Sequence, residues 1–177
     1  MTAIPTFKCL LVGNGGVGKS SLVMKHLTGE FDLTYTPTIG ADVQPLVFNT
    51  TIGPIKFNIW DNAGIDKFDG FATWKEMIYT QAACAIIMFS LTDRESYNAV
   101  PKCYNDIVKV CGKIPMILVG NKVDLKARIV TPTMIDYHRE FGLWYCDTSS
   151  KSNYHFDRPF VALSKMLLND PTITLID

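Results

Sequence analysis

Gly13-Asn14-Gly15-Gly16-Val17-Gly18-Lys19-Ser20 reads G-x-x-x-x-G-K-S, a spacing suited to cradling a chain of phosphates. Glycine lets the backbone turn tightly enough for successive N–H groups to point inward at an anion. Lys19 is placed to reach the outer phosphates, and the Ser20 hydroxyl to ligate Mg²⁺. Glycine-rich turns also arise by chance, so the flanking context decides. Phe7–Val12 before the loop is short, apolar and strand-like, and Ser21–Leu27 after it has helical spacing. Strand, glycine loop and helix N-terminus together make an anion site.

Three further stretches carry matching chemistry. Asp61-Asn62-Ala63-Gly64 follows a strand-like run. An Asp there can hold the Mg²⁺ shell through water, and a small residue such as Gly64 lets a backbone N–H approach a terminal phosphate. Asn121-Lys122-Val123-Asp124 also follows a strand-like run. A carboxylate only accepts hydrogen bonds. Guanine offers two adjacent donors, N1–H and the 2-amino group, whereas adenine has a ring acceptor there and no 2-amino group. Asp124 therefore selects guanine. Asn121 can bond the base and tie loops together, and the Lys122 stem can cover its face. Ser149-Ser150-Lys151 follows the last strand-like run, and its backbone N–H groups suit guanine O6. Each stretch alone is weak: D-x-x-G mostly marks turns, and N-K-x-D resembles a helix-cap loop. With the phosphate loop they form one guanine-nucleotide site.

Thr38 lies in Tyr35-Thr36-Pro37-Thr38-Ile39-Gly40. A threonine on a loop can offer its hydroxyl to Mg²⁺ and its N–H to the γ-phosphate. Those contacts exist only with a triphosphate, so the loop becomes a switch. Ser21 and Tyr35 are expected to join the nucleotide contacts. Phe31 either stacks on the base edge or anchors the loop in the core.

The elements that must position these residues follow from the rest of the chain. Strand-like runs alternate with helix-like segments along the sequence. Val43–Thr50 and Ile55–Asp61 flank a turn at Thr51-Ile52-Gly53-Pro54 and predict an antiparallel hairpin. Gly29–Gly40 and Asn62–Gly70 read as loops, and Phe71–Gln81 as a helix. Cys84–Phe89 and Pro115–Gly120 are apolar throughout, as strands buried on both faces are. Ser96–Cys111 predicts one long helix, with Pro101 as a flaw or boundary. Thr133–Phe141 predicts a helix, Leu143–Cys146 a short strand and Phe156–Leu168 a last helix. The alternation predicts an α/β fold, a mostly parallel sheet with helices on both faces. Ligands bind outside the carboxyl ends of such strands, where the loops at Gly13, Asp61 and Asn121 emerge.

The 177 residues are 47% hydrophobic and 19% charged with zero formal net charge, which predicts one domain over residues 1–177. The charge balance gives no footprint for nucleic acid or for an anionic membrane surface. The five cysteines lack C-x-x-C spacing and read as buried reduced thiols in a cytosolic or nuclear protein. No run has the length of a membrane span, no signal peptide is evident, and the residues Leu175-Ile176-Asp177 carry no prenylation box, so no membrane anchor is expected.

The four motifs resemble those of the Ras superfamily of small GTPases. Between the motifs, the chain is most similar to the nuclear-transport branch, the Ran family. The stretches that carry this are His26–Phe31, Pro45–Phe48, Gly53–Asp61, Cys84–Phe89, Gly120–Asp124 and Lys151–Tyr154. The resemblance implies a P-loop G domain with a six-stranded sheet containing one antiparallel pair. It implies GTP/GDP and Mg²⁺ as cofactors and GTP hydrolysis through Lys19, Thr38 and Gly64. It also implies exchange factors, GTPase-activating proteins and importin/exportin-type receptors as partners, a monomer, and a place in nucleus and cytoplasm. The departures are specific. The family has glutamine directly after D-x-x-G, orienting the attacking water; here Ile65 stands there and can neither donate nor accept a hydrogen bond. No arginine lies in Phe31–Gly40 to act as a finger in cis. Asp66–Tyr79 is longer than the family's second switch, and Arg128–Phe141 has mixed charge where the family is strongly basic. Slow hydrolysis is expected, up to a GTP-locked binding module. Gly18-Lys19-Ser20-Ser21 and Pro37-Thr38 look more like the vesicle-trafficking (Rab-like) branch.

Overall fold

The computed structural model describes residues 3–64 and 72–176. Six strands form one sheet: β1 (Thr6–Val12), β2 (Ala41–Thr50), β3 (Gly53–Asn62), β4 (Cys84–Ser90), β5 (Met116–Asn121) and β6 (Trp144–Asp147), in the order β2-β3-β1-β4-β5-β6. Of these six strands only β2 and β3 pair antiparallel with each other among the described residues; the register of Thr50 on Gly53 makes them the expected hairpin. The other pairings are parallel, so β1, β3, β5 and β6 all end at one edge of the sheet.

Side chains alternate across the sheet and build a core on each face. Cys84, Ile86 and Met88 of β4 face one side, with Leu22 and Val23 of α1 (Lys19–Thr28) and Phe160 and Leu163 of α6 (Arg158–Leu168). Ala85, Ile87 and Phe89 face the other, with α2 (Ala72–Tyr79) and α4 (Val100–Cys111). Every residue of β4 is buried, which explains its unbroken apolar sequence. All five cysteines are free thiols; four are buried and Cys111 is half-buried. No helix among the described residues is long and apolar enough to cross a membrane.

His26 sits inside the first core, in edge contact with Phe48 and Phe160 and beside Phe156, whose carbonyl is 3.2 Å from Nε2. Burial pushes its imidazole down to about 4, against the pull of that carbonyl.

Two helix expectations are corrected. Ser96–Cys111 is not one helix but α3 (Arg94–Asn98) followed by α4, broken at Ala99. Pro101 lies in the first turn of α4, where its missing N–H costs nothing; inside a continuous helix its ring would clash with the carbonyl four residues back. Thr133–Phe141 is not one helix either. A 3₁₀ turn at Pro132–Met134 is separated from a single turn, α5 (Tyr137–Glu140), by extended Ile135. Buried Ile135 draws the chain inward, and the Tyr97 hydroxyl takes the N–H groups of Asp136 and Tyr137 at 2.8 and 3.2 Å while donating to the Asp136 carboxylate at 2.9 Å. Those N–H groups are thereby lost to a continuous helix.

Candidate functional site

The loops after β1, β3, β5 and β6 converge with the start of α1 and the 29–40 loop around a cavity of about 510 Å³. That is the size of a small-molecule site. At one end the glycine loop wraps Lys19. Its ammonium is buried and donates to the carbonyls of Gly13 at 3.0 Å and Asn14 at 2.8 Å. Gly18, at the N-terminus of α1, has φ +103°, and a Cβ there would run into the Asn121 amide. Glycine is thus required both by backbone conformation and by space.

Beside Lys19, three oxygen-bearing side chains meet. Ser20 Oγ donates to Asp61 Oδ2 and lies 2.8 Å from Thr38 Oγ1. Asp61 is 3% exposed, and its second oxygen, Oδ1, is buried with no hydrogen-bond partner among the described residues. Burial pushes the Asp61 carboxyl up, opposed by the Ser20 hydrogen bond and the Lys19 charge. A carboxylate oxygen left without a partner is costly, on the order of 1–3 kcal/mol or more. Two hydroxyls and one carboxylate make an all-oxygen set for a hard cation that keeps waters and phosphate oxygens as its other ligands. The residues present therefore fit Mg²⁺.

The opposite end is tied to the ends of β5 and β6. Asn121 donates through Nδ2 to the Val17 carbonyl at 2.9 Å and accepts from the Thr148 hydroxyl at 3.2 Å. Lys122, in left-handed conformation at φ +69°, reaches the Gly16 carbonyl at 2.6 Å. Asp124 Oδ1 accepts from the Ser149 hydroxyl at 2.6 Å, and Ser149 N–H donates to the Tyr154 carbonyl at 2.9 Å. Behind them, Arg128 pairs with Asp147 at 3.0 Å and donates to the Val130 carbonyl at 2.8 Å; the Tyr145 hydroxyl also donates to Asp147. An acceptor-only carboxylate, held by a neighbouring hydroxyl, faces one end of a cavity whose other end suits phosphate and a cation. Residues 8–169 match the model of the Ras family. The chain belongs to the Ras family.

Ras-family proteins are GTP-binding molecular switches with GTPase activity; they bind guanine nucleotide, typically with Mg²⁺, and generally meet exchange factors and GTPase-activating proteins. The six-stranded α/β sheet with one antiparallel pair is the fold expected of a small G domain. In this Ras-family chain the cavity is lined by Gly15, Gly16, Gly18, Lys19, Ser20, Ser21, Phe31, Tyr35, Thr38, Gly64, Asn121, Lys122, Asp124, Ser150 and Lys151. Phe31 is half-buried against it and Tyr35 is 59% exposed.

Four residues singled out in the sequence do not line the cavity. Val17 is buried in the core and contributes the carbonyl that holds Asn121. Asn14 contributes the carbonyl that holds Lys19. Ser149 is fully buried and orients Asp124, while Asp61 stands behind Ser20. Ile65, and the part of the Asp66–Tyr79 segment before Ala72, lie outside the described residues. Sequence reasoning missed Met24, Asp32, Leu33, Thr34, Thr36 and Leu125 as lining residues. Two had a signal. Met24 lies one helical turn after Ser20 on the same face of α1, and Leu125 directly follows Asp124. The others lie on an irregular loop with no period to read.

Proposed function

We propose that this chain is a Ran-like switch over residues 1–177 that holds GTP for long periods and recruits importin- or exportin-type receptors in that form, in nucleus and cytoplasm. The observation that carries the switch reading is the contact of Thr38 with Ser20, itself bonded to Asp61. Thr38 belongs to an exposed loop whose neighbours Leu33 and Ile39 are 80% and 94% exposed. A loop with little packing of its own is held by what its few polar residues grip. Ser20 and Thr38 would hold Mg²⁺ directly and Asp61 through water. When bound, the ion neutralises charge on the phosphates.

Slow turnover is supported by Ile65. Phosphoryl transfer needs a group that positions the attacking water, and an alkyl side chain offers none. Asp66 is the neighbouring polar candidate, and a carboxylate beside the γ-phosphate meets charge repulsion. Lys19 and the loop amides still bind the phosphates, so the protein is biased towards its GTP form. Ile65→Gln raises single-turnover GTP hydrolysis, most clearly with an activating protein present. A parent protein that hydrolyses GTP as fast as the variant refutes slow turnover.

The Ran-like stretches support transport receptors as partners, with affinity lowered by the altered Asp66–Tyr79 segment and the mixed charge of Arg128–Phe141. A vesicle-trafficking role is the second reading, favoured by Gly18-Lys19-Ser20-Ser21 and Pro37-Thr38. Pull-downs with GTP-loaded and GDP-loaded protein separate them: no GTP-dependent capture of any transport receptor rejects the Ran-like role.

A further inference from the structure

α1 starts at the phosphate loop with Lys19 and Ser20 and carries His26 near its other end. The His26 side chain is 9% exposed and sits among three aromatic rings, those of Phe48 in β2, Phe156, and Phe160 in α6. Its Nε2 lies 3.2 Å from the Phe156 carbonyl. A carbonyl only accepts, so Nε2 carries the proton and donates it. An apolar core position needs no donor, and Leu or Phe would serve packing alone.

The bond lands on a loop of unusual backbone. Between β6 and α6 the chain passes through Asn153 and His155, both left-handed, at φ +61° and +51°. A residue with a Cβ adopts that conformation at a cost, and it persists where surrounding contacts hold it. Phe156 follows directly on His155, so His26 grips the chain just past the second of these positions. Two residues before Phe156, the Tyr154 carbonyl accepts from Ser149 N–H at 2.9 Å. Ser152 N–H closes the turn on Ser149 Oγ at 3.0 Å, and that hydroxyl donates to Asp124 Oδ1 at 2.6 Å. A line of contacts thus runs from α1 through Phe156 and Tyr154 to Ser149 and the Asp124 carboxylate.

We propose that His26 is a positioning residue of the nucleotide site: its Nε2–H, by holding the Phe156 carbonyl, fixes the 149–156 loop and, through Ser149, the orientation of Asp124. His26 does not line the cavity, so it acts through Ser149 and not on the nucleotide. It ties the base end to the helix whose first turn carries Lys19 and Ser20. The proposal rests on the guanine-nucleotide reading of this cavity and adds to it a residue from the core.

The test compares GDP with inosine diphosphate, which lacks the 2-amino donor facing Asp124, as equilibrium dissociation constants with Mg²⁺ present. The parent is expected to prefer GDP. His26→Leu keeps the position apolar and removes the donor, whereas His26→Gln offers an amide N–H at similar reach. His26→Leu is expected to lower the preference for GDP by roughly two- to tenfold, the worth of one neutral hydrogen bond, and His26→Gln to restore most of it. A change in fold stability alone moves both nucleotides together, so an unchanged preference in His26→Leu overturns the proposal. A His26→Gln variant no better than His26→Leu overturns it too. The parent alone supplies another arm, independent of how the variants fold. Burial keeps the ring neutral at neutral pH, and its nitrogen resonances are expected to place the proton on Nε2. A proton on Nδ1 instead removes the bond and the proposal with it. A parent that binds neither nucleotide, or binds both without preference, rejects the guanine reading itself.

Discussion

The two ends of the cavity are built differently. The base end is a network hung from buried β5 and half-buried β6: Asn121 on Val17 and Thr148, Ser149 on Asp124, and Arg128 and Tyr145 on Asp147. Most of its backbone lies within a few residues of β5 or β6. The cation end gathers Ser20 from α1, Asp61 from β3 and Thr38 from an exposed loop, with one carboxylate oxygen left without a partner among the described residues. Among the described residues each end holds one buried oxygen without a partner, Ser150 Oγ at the base end and Asp61 Oδ1 at the cation end, but only the cation end draws a group from an exposed loop. That difference teaches how a switch can keep its base while changing shape at its phosphates. On the proposed reading, recognition sits on the half built from β5 and β6, and the contact expected to switch sits on the exposed loop that carries Thr38.

The largest expected effect is global and bounds the pH range in which the two ends can be compared. His26 is held at about 4 in the fold, below its ordinary 6.5. The unfolded chain thus takes up this proton first as pH falls. The stability contributed by neutral His26 is whole above about pH 6.5, declines on acidification and is gone below about 4, a loss of about 3 kcal/mol. The Phe156 carbonyl, 3.2 Å from Nε2, opposes this by favouring the imidazolium. Urea unfolding at pH 7.5 and 4.5 measures it, with His26→Asn as the variant in which the slope shrinks. An unchanged slope in that variant removes His26 from the account.

Next comes the base end. Asp124→Asn replaces an acceptor-only group with one that also donates. Loss of a charge-assisted bond weakens GTP and GDP binding alike by about tenfold or more and shifts preference towards xanthosine nucleotides, whose 2-position accepts. Competition between GDP and xanthosine diphosphate reads the shift. Tight, unshifted GDP binding in the variant breaks the assignment of this end to the base.

The smallest effect is at the cation end, and it is defined by asymmetry. Thr38→Ala leaves GDP affinity within about twofold, because the loop grips the γ-phosphate only in the triphosphate state. GTP affinity falls a few-fold, and GTP-dependent partner binding falls with it. Equal losses for GDP and GTP would erase the contrast between a fixed and a movable end.

Much of both ends is legible in the residues themselves. Motif chemistry is local: G-x-x-x-x-G-K-S, D-x-x-G and N-K-x-D name their own donors and acceptors, and the apolar runs before them predict the strands. The hairpin is readable because Thr51-Ile52-Gly53-Pro54 is a short-range turn signal. The breaks in the helical segments are less so. Pro101 marks one boundary by its own covalent geometry, but the break before α5 depends on Tyr97, some forty residues away in sequence.

By itself, then, the sequence determined the chemistry at each strand end and the kind of sheet that would carry it, because hydrogen-bonding capacity and side-chain period reside in single residues and their near neighbours. Only the tertiary structure decided which of those groups meet. The β3-β1 pairing and the 29–40 loop bring Asp61 and Thr38 to Ser20, 41 and 18 residues distant in sequence. The same packing makes Val17, Asn14 and Ser149 supports for Asn121, Lys19 and Asp124, and it leaves the Ser150 hydroxyl buried without a partner among the described residues. Whether a polar group is satisfied depends on everything packed around it, and no stretch of sequence carries that information alone.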